Sequence, residues 1–394
     1  MRALLTSIDG AGHFNPVALL VDALLRRGDE VLLVIPQDLR ETVEKRGYPY
    51  RLCGKPSDEV MGEIYQRFVT LSPEEAEIVA DREVLGKQYA EAMLPALEEA
   101  CRTWRPDVVL HDSRAYAAGI AAARHGIPHA QVGISQAAVE KASLDRAAPE
   151  LVRHDDAIVE RLRTVPFLSR FPASLDPSEF ADTRRFRDGV EPRREMLPDW
   201  WDGNTAPLVY LTFGSVTGQL PLAGAVFRAA LEAVRGLPVR VLFTVGHSTD
   251  VSQLGDIPAN VHVEAWVPQA DVLAEAAVVV GHGGSATLLG TLAAGLPSVV
   301  VPVFADQPAN ARLVQESRVG LRVDTGVESE DRVGKIGPAD VPRIRAAIEQ
   351  VLADPSYAEA AARVAAEMRQ LPTIDALVDD ILASLVAGDA PYAA

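Results

Sequence analysis

Short apolar runs alternate with helix-like segments twice along this 394-residue chain. The first run, RALLTSI at 2–8, is followed by a GAGHFNP turn, by an amphipathic helix expected from about Asn15 to Arg27, and by a second run, EVLLVI. This order predicts a parallel pair of strands, because parallel strands need a crossover connection. Further strands are predicted at DVVLHD (107–112) and PHAQVG (128–133), and the Ala-rich helix between them ends at Gly126. The first half is therefore α/β.

The same alternation returns after residue 205, in the runs PLVYLTF, VRVLFTV, NVHVEAW, AAVVVG and LPSVVVPV. Between Phe167 and Thr205 Pro and Arg accumulate and the periodicity disappears, which is typical of a linker. We therefore predict two doubly wound α/β domains, 1–204 and 205–394, that bind ligand at the carboxyl ends of their strands. A last amphipathic helix, 373–386, is expected to pack back on the first domain, although periodicity alone does not give its destination.

The formal net charge of −17 argues against nucleic acid or an anionic membrane as a partner, because both would repel the chain. No apolar stretch reaches the roughly 18 residues of a membrane span, and the first run breaks at Asp9, too early for a signal peptide. We expect no stable membrane association. Cys53 and Cys101 lack metal-site spacing and suit a reducing compartment, so we expect a cytoplasmic protein.

The segment VVVGHGGSATLLG places polar residues between a predicted buried strand and a helix. The backbone N–H groups of Gly283 and Gly284 and the helix N-terminus would attract an oxyanion without Lys or Arg. Ser285 and Thr287 would add hydroxyl donors beside His282. A diphosphate fits this description, although a plain strand-to-helix turn with Ser285 as its N-cap would have the same residues.

Three further motifs accompany this segment: WVPQ (266–269), FADQPANA (304–311) and GAGHFNP (10–16). Together with GHGGSAT they resemble the family-1-type glycosyltransferases of the GT-B fold, especially bacterial enzymes that glycosylate natural products such as antibiotics. The resemblance covers essentially the whole chain. It implies two Rossmann-like domains facing across a cleft, the first for the acceptor and the second for a nucleotide sugar. It also implies a TDP- or UDP-sugar as co-substrate, no other cofactor, and a small aglycone as acceptor. The sequence is compatible with a homodimer but does not identify the oligomeric state.

The resemblance assigns the donor site residue by residue. Trp266 would stack on the base, the backbone of Val267 would read the base edge, and Gln269 would reach the ribose. Without the resemblance, Trp266 would be interpreted as a core aromatic and Asp306 as a helix cap. Diphosphate or sugar contacts are expected from Gly12, Ser215, His282, Gly283, Gly284, Ser285 and Thr287, and contacts to sugar hydroxyls from Asp306 and Gln307.

Gly290 departs from the family pattern. Family members that use UDP-sugars usually carry Glu at this position, where it binds both ribose hydroxyls. Losing that carboxylate removes interactions of about 1.5 to 3 kcal/mol. The loss matters less for thymidine diphosphate, which lacks the 2'-hydroxyl, so a TDP-sugar is favoured over a UDP-sugar.

His13 is the candidate base, because transfer to an alcohol needs a group that takes the hydroxyl proton near neutral pH. A lone His beside Gly is more often structural. Asp112, however, ends the predicted strand DVVLHD, which by the family resemblance is a neighbour of the first strand. The resemblance supports a His13 and Asp112 dyad in an inverting, single-displacement reaction. No Asp-x-Asp triplet occurs in the sequence, so no metal is expected. His111 is predicted to be buried packing.

The acceptor is expected on helical segments at 58–69 and 86–97, with candidate residues Met61, Tyr65, Phe68, Tyr89 and Met93. Packing of a helix face explains the same residues equally well. The segment GISQAAVEKASLDR (133–146) is predicted to be a mobile acceptor loop. We interpret the arginines between 184 and 194 as solvated charges on the linker.

Three alternatives remain open from the sequence. A nucleotide-sugar 2-epimerase shares the fold but needs no acceptor pocket. A lipid-linked glycosyltransferase of peptidoglycan synthesis shares a Gly-rich first loop but normally presents a basic membrane face. A degenerate homologue could bind the nucleotide sugar and act as an auxiliary partner.

Overall fold

The fold is taken from a computed structural model, which describes residues 1–68, 70–188, 195–214, 217–219, 223–247, 249–324 and 336–386. The chain forms two compact units. One comprises Met1–Gly189 with Leu371–Ala394, and the other comprises Val190–Gln370. Each unit contains one parallel sheet, so the predicted α/β class is confirmed. The units divide earlier than the predicted boundary near residue 205.

The first unit is built on a seven-stranded sheet. Its strands are β1 (Arg2–Thr6), β2 (Glu30–Pro36), β3 (Tyr50–Cys53), β4 (Val108–Asp112), β5 (His129–Val132), β6 (Phe167–Ser169) and β7 (Thr183–Arg185). They lie in the order β3-β2-β1-β4-β5-β6-β7. The order reverses between β1 and β4, and in sheets of this kind ligands bind at the carboxyl ends of the strands on either side of such a reversal.

The helices of the first unit cover both faces of this sheet. They are α1 (Ala11–Arg27), α2 (Arg40–Lys45), α3 (Asp58–Phe68), α4 (Pro73–Ile78), α5 (Ala90–Trp104), α6 (Tyr116–His125), α7 (Ala137–Leu151) and α8 (Ile158–Thr164), with a π-helix at Val79–Tyr89 and a 3₁₀ turn at Gln37–Leu39. No helix in the described part of the chain is both long and apolar enough to cross a bilayer.

Helix α1 begins at Ala11, and the predicted start near Asn15 was wrong. Gly10 has a φ of 104°, and its carbonyl accepts from the backbone N–H of Phe14 at 3.0 Å. The GAGHFNP segment is therefore the first turns of α1. Its small and polar residues carry no apolar periodicity, which is why the pattern did not reveal the helix. His13 lies in the first turn, directly after β1.

The second unit is built on a six-stranded sheet. Its strands are β8 (Leu208–Thr212), β9 (Arg240–Thr244), β10 (Val261–Glu264), β11 (Ala276–Gly281), β12 (Ser298–Val300) and β13 (Gly320–Arg322), in the order β10-β9-β8-β11-β12-β13. Its helices are α9 (Ala223–Val234), α10 (Gln269–Glu275), α11 (Ser285–Ala293), α12 (Gln307–Glu316), α13 (Val341–Ala353) and α14 (Ser356–Gln370), with 3₁₀ turns at Thr217–Gln219, Val251–Leu254 and Pro338–Asp340. Here the order reverses between β8 and β11.

The last helix, α15 (Ile374–Val386), belongs to the first unit. Its apolar side chains, including Leu377, Ile381 and Leu385, are buried in the cluster that α1 forms with the sheet. Burying such side chains contributes about 1.5 to 3 kcal/mol each. The helix is therefore an integral part of the first unit's core.

The segment predicted as a linker contains β6 and β7, so that prediction was wrong for its first part. Phe167, Phe171 and Phe186 are almost completely buried. Arg184 pairs with Asp380 of α15 at 2.9 Å, so it is not solvated charge. These strands span only three residues each, too few for periodicity to register. Of the other linker arginines, Arg185 and Arg187 donate to backbone carbonyls, and Arg193 and Arg194 lie outside the described residues.

Candidate active site

A His–Asp pair lies where β1 and β4 end. The two strands are neighbours, with Thr6 opposite His111, so the residues that follow β1 approach Asp112. The Nδ1 atom of His13 is 2.8 Å from Oδ2 of Asp112. The Asp112 side chain is completely buried, whereas the His13 side chain is 24% exposed. His13 is therefore the member of the pair that a ligand can reach.

The surroundings of Asp112 keep it ionised. Burial alone would raise its pKa, but the charge of His13, the hydrogen bond to His13 and the backbone N–H of Arg114 together hold the pKa below its ordinary value. That N–H donates to Oδ1 at 3.0 Å. Because the carboxylate can only accept, Nδ1 of the His13 ring must carry the hydrogen of this contact, so a neutral ring has its lone pair on Nε2, where it can take a proton.

His111 packs inside the sheet, as predicted. It is completely buried, and its Nδ1 donates to the backbone carbonyl of Asp112 at 2.9 Å. Its ring stacks on His129 with centroids 5.4 Å apart. Burial lowers the pKa of both imidazoles, so both are neutral near pH 7.

In the second unit His282 follows β11 and is 9% exposed. A Cβ atom at Gly214 or Gly284 would lie only 2.8 or 2.6 Å from its Nε2, so the ring position requires glycine at both places. Burial lowers the pKa of His282 to about 4, although the charge of Asp306 acts in the opposite direction. A neutral ring brings no positive charge. Attraction for an anion must therefore come from the N-terminus of α11.

Ser285, the first residue of α11, is held by the loop before α12. Its hydroxyl donates to Oδ2 of Asp306 at 2.5 Å. Asn310 donates through Nδ2 to the same oxygen at 3.1 Å and to the carbonyl of Gly283 at 2.8 Å. The Ser285 hydroxyl was predicted to donate to a diphosphate, but in the structure its hydrogen is directed to Asp306. Asn310 was not predicted as a site residue, although its spacing of four residues from Asp306 indicates a shared helix face.

Gln307 is 3% exposed, and its Oε1 accepts from the backbone N–H groups of Val303 at 2.8 Å and Phe304 at 3.0 Å. This carbonyl end therefore fixes the loop before α12 and is not directed at a sugar hydroxyl. Ala305 in that loop has a φ of 55°, a strained conformation for a residue with a Cβ. Asp306, which is partly exposed, is the member of the pair that a ligand reaches more easily.

The WVPQ motif joins β10 to α10. Trp266 is 62% exposed, so it is not a core aromatic, and its indole offers a surface for stacking. Gln269 begins α10, and its Nε2 lies 3.5 Å from the carbonyl oxygen of Thr287 on α11. A Cβ atom at Gly290 would lie 3.3 Å from Oε1 of Gln269. The structure thus brings together Gln269, Thr287 and Gly290, while Val267 packs on the apolar cluster beneath them.

Residues 23–212 match the family described as erythromycin biosynthesis protein CIII-like, N-terminal domain, and residues 229–384 match its C-terminal domain. The chain belongs to this family. It is 30% identical over 393 residues, 94% of each chain, to the elloramycin glycosyltransferase ElmGT of Streptomyces olivaceus. The protein is a natural-product glycosyltransferase, as the sequence resemblance implied.

Solved structures share its fold. The glycosyltransferase VinC in complex with dTDP matches with a TM-score of 0.74 and 22% identity, over 98% of this chain and 100% of VinC. SsfS6 of Streptomyces sp. SF2575, complexed with thymidine diphosphate, matches with a TM-score of 0.69 and 24% identity, over 97% and 99% of the chains. The glycosyltransferase therefore has the GT-B fold.

The predicted acceptor residues of the glycosyltransferase lie in different surroundings. Tyr65 is 57% exposed, and the Tyr89 hydroxyl donates to Oδ1 of Asp9 in the loop before His13. Met61 and Phe68 are partly buried against a small apolar cluster that Ile64 of α3 forms with Val79 and Val84 of the π-helix. Met93 is completely buried in the core, so it packs rather than faces a ligand.

Two other predictions have different outcomes. The segment 133–146 is not a mobile loop, because residues 137–151 form α7 and the Ser135 and Glu140 side chains are buried. Ser215 lies outside the described residues.

Gly12 is exposed, and no heavy atom lies within 4 Å of a Cβ atom built on it. Within the described ranges, no three His, Cys, Asp or Glu side chains are grouped so that they could hold a metal ion.

Proposed function

We propose that this glycosyltransferase moves a sugar from a thymidine diphosphate sugar to a hydroxyl of a small, largely apolar natural-product aglycone. The reaction is a metal-independent single displacement that inverts the anomeric centre. His13 is the base, and Asp112 is its orienting partner. The observation that carries this proposal is the 2.8 Å contact between Nδ1 of His13 and the buried, ionised Asp112.

In the proposed reaction, Nε2 of His13 takes the proton of the acceptor hydroxyl as its oxygen attacks the anomeric carbon. The new C–O bond forms on the face opposite the diphosphate, whose C–O bond breaks and whose oxygen leaves with the electron pair. Asp112 stabilises the imidazolium that forms. The nucleoside diphosphate and the glycoside are the products, and the proton on His13 passes to water.

The departing diphosphate is assigned to the start of α11. The helix dipole and the N–H groups near Gly283, Gly284 and Ser285 supply positive potential that grows in importance as negative charge develops. His282 and Thr287 supply further polar contacts, as do Gly12 and Ser215 by family resemblance. This arrangement supports departure of the leaving group without Lys, Arg or a metal.

The nucleobase of the donor is assigned to the exposed face of Trp266, and its ribose is assigned to Gln269. Gly290 lies beside Gln269 and provides no carboxylate for a 2'-hydroxyl, which favours TDP over UDP. The thymidine diphosphate complexes of VinC and SsfS6 support the same choice. Asp306 is assigned to a sugar hydroxyl, with Gln307 as the residue that shapes its loop.

The acceptor is assigned to Tyr65 and Tyr89, with Met61 and Phe68 as the apolar packing behind them. Tyr89 is bonded to Asp9, in the loop from which α1 and His13 start. An aglycone placed there would approach the base. The apolar character of these residues supports a largely apolar acceptor.

Replacing the proposed base tests the mechanism. His13→Ala is expected to lower turnover by about 100-fold or more, because positioned proton transfer contributes that much. Donor affinity, measured by calorimetry, should stay near that of the wild type. His125→Ala, which removes an exposed imidazole at the end of α6, is the matched control. Near-normal turnover in His13→Ala would refute the assignment.

The donor assignment is tested by calorimetry with TDP and UDP in the presence of EDTA. We expect TDP to bind more tightly, and Gly290→Glu to shift the preference towards UDP by about 10-fold or more, since a hydrogen bond to a charged group contributes about 1.5 to 3 kcal/mol. A clear preference of the wild type for UDP would overturn this assignment. Incubation of donor without acceptor distinguishes the 2-epimerase alternative, which would yield an epimerised nucleotide sugar.

A further inference from the structure

The loop that follows Asp112 is held by one buried carboxylate, that of Glu140 on α7. Its Oε2 accepts from the Ser113 hydroxyl at 2.9 Å and from Nε of Arg114 at 3.1 Å. Its Oε1 accepts from the backbone N–H of Ser135 at 2.8 Å and from the Ser135 hydroxyl at 2.6 Å. Glu140 is 3% exposed. A single side chain therefore joins the loops that leave β4 and β5.

Arg114 connects this carboxylate to Asp112. Its side chain donates to Glu140, and its backbone N–H donates to Oδ1 of Asp112 at 3.0 Å. The carbonyl of Asp112 also accepts from the backbone N–H of Ala115 at 2.9 Å, which closes a tight turn. The orientation of the Asp112 carboxylate is thus fixed on one oxygen by His13 and on the other by Arg114.

We propose that Glu140 is a positioning residue for glycosyl transfer. By fixing Ser113 and Arg114 it sets the rotation of the Asp112 carboxylate, and through Asp112 it sets the ring plane of His13. A base must be held close to its productive geometry, and buried outer hydrogen bonds do this for the side chains they support. The inference rests on the proposed function of His13 and Asp112 as the base and its partner.

Asp81 offers a matched comparison, because it is a second buried carboxylate in the same network. It is 4% exposed and accepts from the Ser143 hydroxyl at 2.8 Å and from Nε of Arg146 at 2.6 Å. Its Oδ1 forms an ion pair with Nη1 of Arg114 at 3.8 Å, which is beyond hydrogen-bond distance. Asp81 therefore anchors the π-helix to α7, whereas the hydrogen bonds of Glu140 reach the loops at the strand ends.

The experiment compares Glu140→Gln with Asp81→Asn in the full-length protein, using kcat, donor KM and Tm. Both variants should lower Tm, because each removes a buried charge from its donors. Glu140→Gln is expected to lower kcat by about 10- to 100-fold, since small displacements of a catalytic group have effects of this size. Donor KM should stay within about twofold, because the donor residues are untouched. Asp81→Asn should keep kcat within about twofold of the wild type.

Equal losses of kcat in the two variants at similar Tm, or an unchanged kcat in Glu140→Gln, would overturn the proposal. His13→Ala is assayed beside them. If His13→Ala keeps near-normal turnover, the proposed function itself fails. If His13→Ala loses turnover but Glu140→Gln and Asp81→Asn have equal kcat, only the role of Glu140 is refuted. If Glu140→Gln does not fold, Ser113→Ala replaces it. That variant removes one of the four hydrogen bonds, and it should lower kcat without changing donor KM; an unchanged kcat there would also overturn the proposal.

Discussion

Ser285 donates its hydroxyl hydrogen to Oδ2 of Asp306 at 2.5 Å. The same oxygen accepts from Nδ2 of Asn310, which also holds the carbonyl of Gly283. The GHGGSAT and FADQPANA motifs are therefore one hydrogen-bonded piece, in which the start of α11 is fixed to the start of α12. A substitution that breaks these hydrogen bonds should therefore disturb both the proposed diphosphate contacts at the start of α11 and the proposed sugar contact of Asp306.

Removing the Ser285 hydroxyl should show this coupling. Ser285→Ala is expected to lower the free energy of unfolding by about 1 to 3 kcal/mol, because it deletes a hydrogen bond to a charged group. Donor KM should rise as Asp306 and the start of α11 lose their link. Ser317→Ala is the control, since the Ser317 hydroxyl bonds a carbonyl at the far end of α12. Urea unfolding and initial rates measure the two effects, and an unchanged donor KM in Ser285→Ala would contradict the coupling.

Acid should destabilise the second unit through His282. Burial lowers its pKa from 6.5 to about 4, so the unfolded chain binds a proton below pH 6.5 that the folded chain binds only near pH 4. The resulting stability is fully present above pH 6.5 and is lost as the pH falls towards 4. Between pH 7 and pH 5 the wild type should lose about 2 kcal/mol more unfolding free energy than His282→Gln.

This comparison isolates His282, because the other buried imidazoles, His111 and His129, are present in both proteins. Chemical denaturation at a series of pH values measures the difference. If the unfolding free energies of the wild type and His282→Gln fall in parallel between pH 7 and pH 5, the buried neutral imidazole does not contribute the expected pH dependence.

The sequence predicted those parts of the fold in which local pattern and tertiary position agree. Strands such as β4 and β11 are buried on both sides, so they appear as apolar runs. The pattern placed His13 and Asp112 at the carboxyl ends of two strands, and the family resemblance supplied the expectation that these strands are neighbours. That proximity did not depend on whether His13 lies in a turn or in a helix.

Side-chain partners were less predictable, because they depend on contacts between distant segments. Nothing local to Ser285 indicates that its hydroxyl meets Asp306, and nothing local to Gln307 indicates that it accepts two backbone N–H groups of its own loop. The same holds for Glu140, whose partners Ser113 and Arg114 come from another strand end. The segment that contains Glu140 was predicted to be a mobile acceptor loop, although the tertiary fold buries this carboxylate.

Gly283 should tolerate no side chain. Its φ is +83°, and a Cβ atom would lie 2.4 Å from Cγ1 of the buried Val300. Gly283→Ala is expected to lower the free energy of unfolding by at least about 2 kcal/mol, from backbone strain and the clash together. Gly295→Ala separates the two causes, because Gly295 also has a positive φ, of +74°, but its nearest neighbour lies at 3.5 Å. Equal losses in the two variants by urea unfolding would show that the Val300 contact costs nothing.

Gly12 provides the opposite case, a glycine without a structural requirement in the folded chain. It lies in the first turn of α1 with no positive φ, and a Cβ atom there would meet no heavy atom within 4 Å. Gly12→Ala should therefore raise the free energy of unfolding by about 0.5 to 1 kcal/mol, as alanine favours a helix. Gly62→Ala in α3 meets the same open surroundings and should give a similar gain.

The two variants should differ in donor KM. If Gly12 contacts the donor, the added methyl group occupies space that a phosphate or sugar group must approach, so donor KM rises in Gly12→Ala while the protein becomes more stable. Gly62→Ala should leave donor KM unchanged, because α3 contributes no proposed donor contact. The helix preference of alanine explains a rise in stability in both variants, so donor KM alone tests the contact. An unchanged donor KM in Gly12→Ala would remove Gly12 from the donor site.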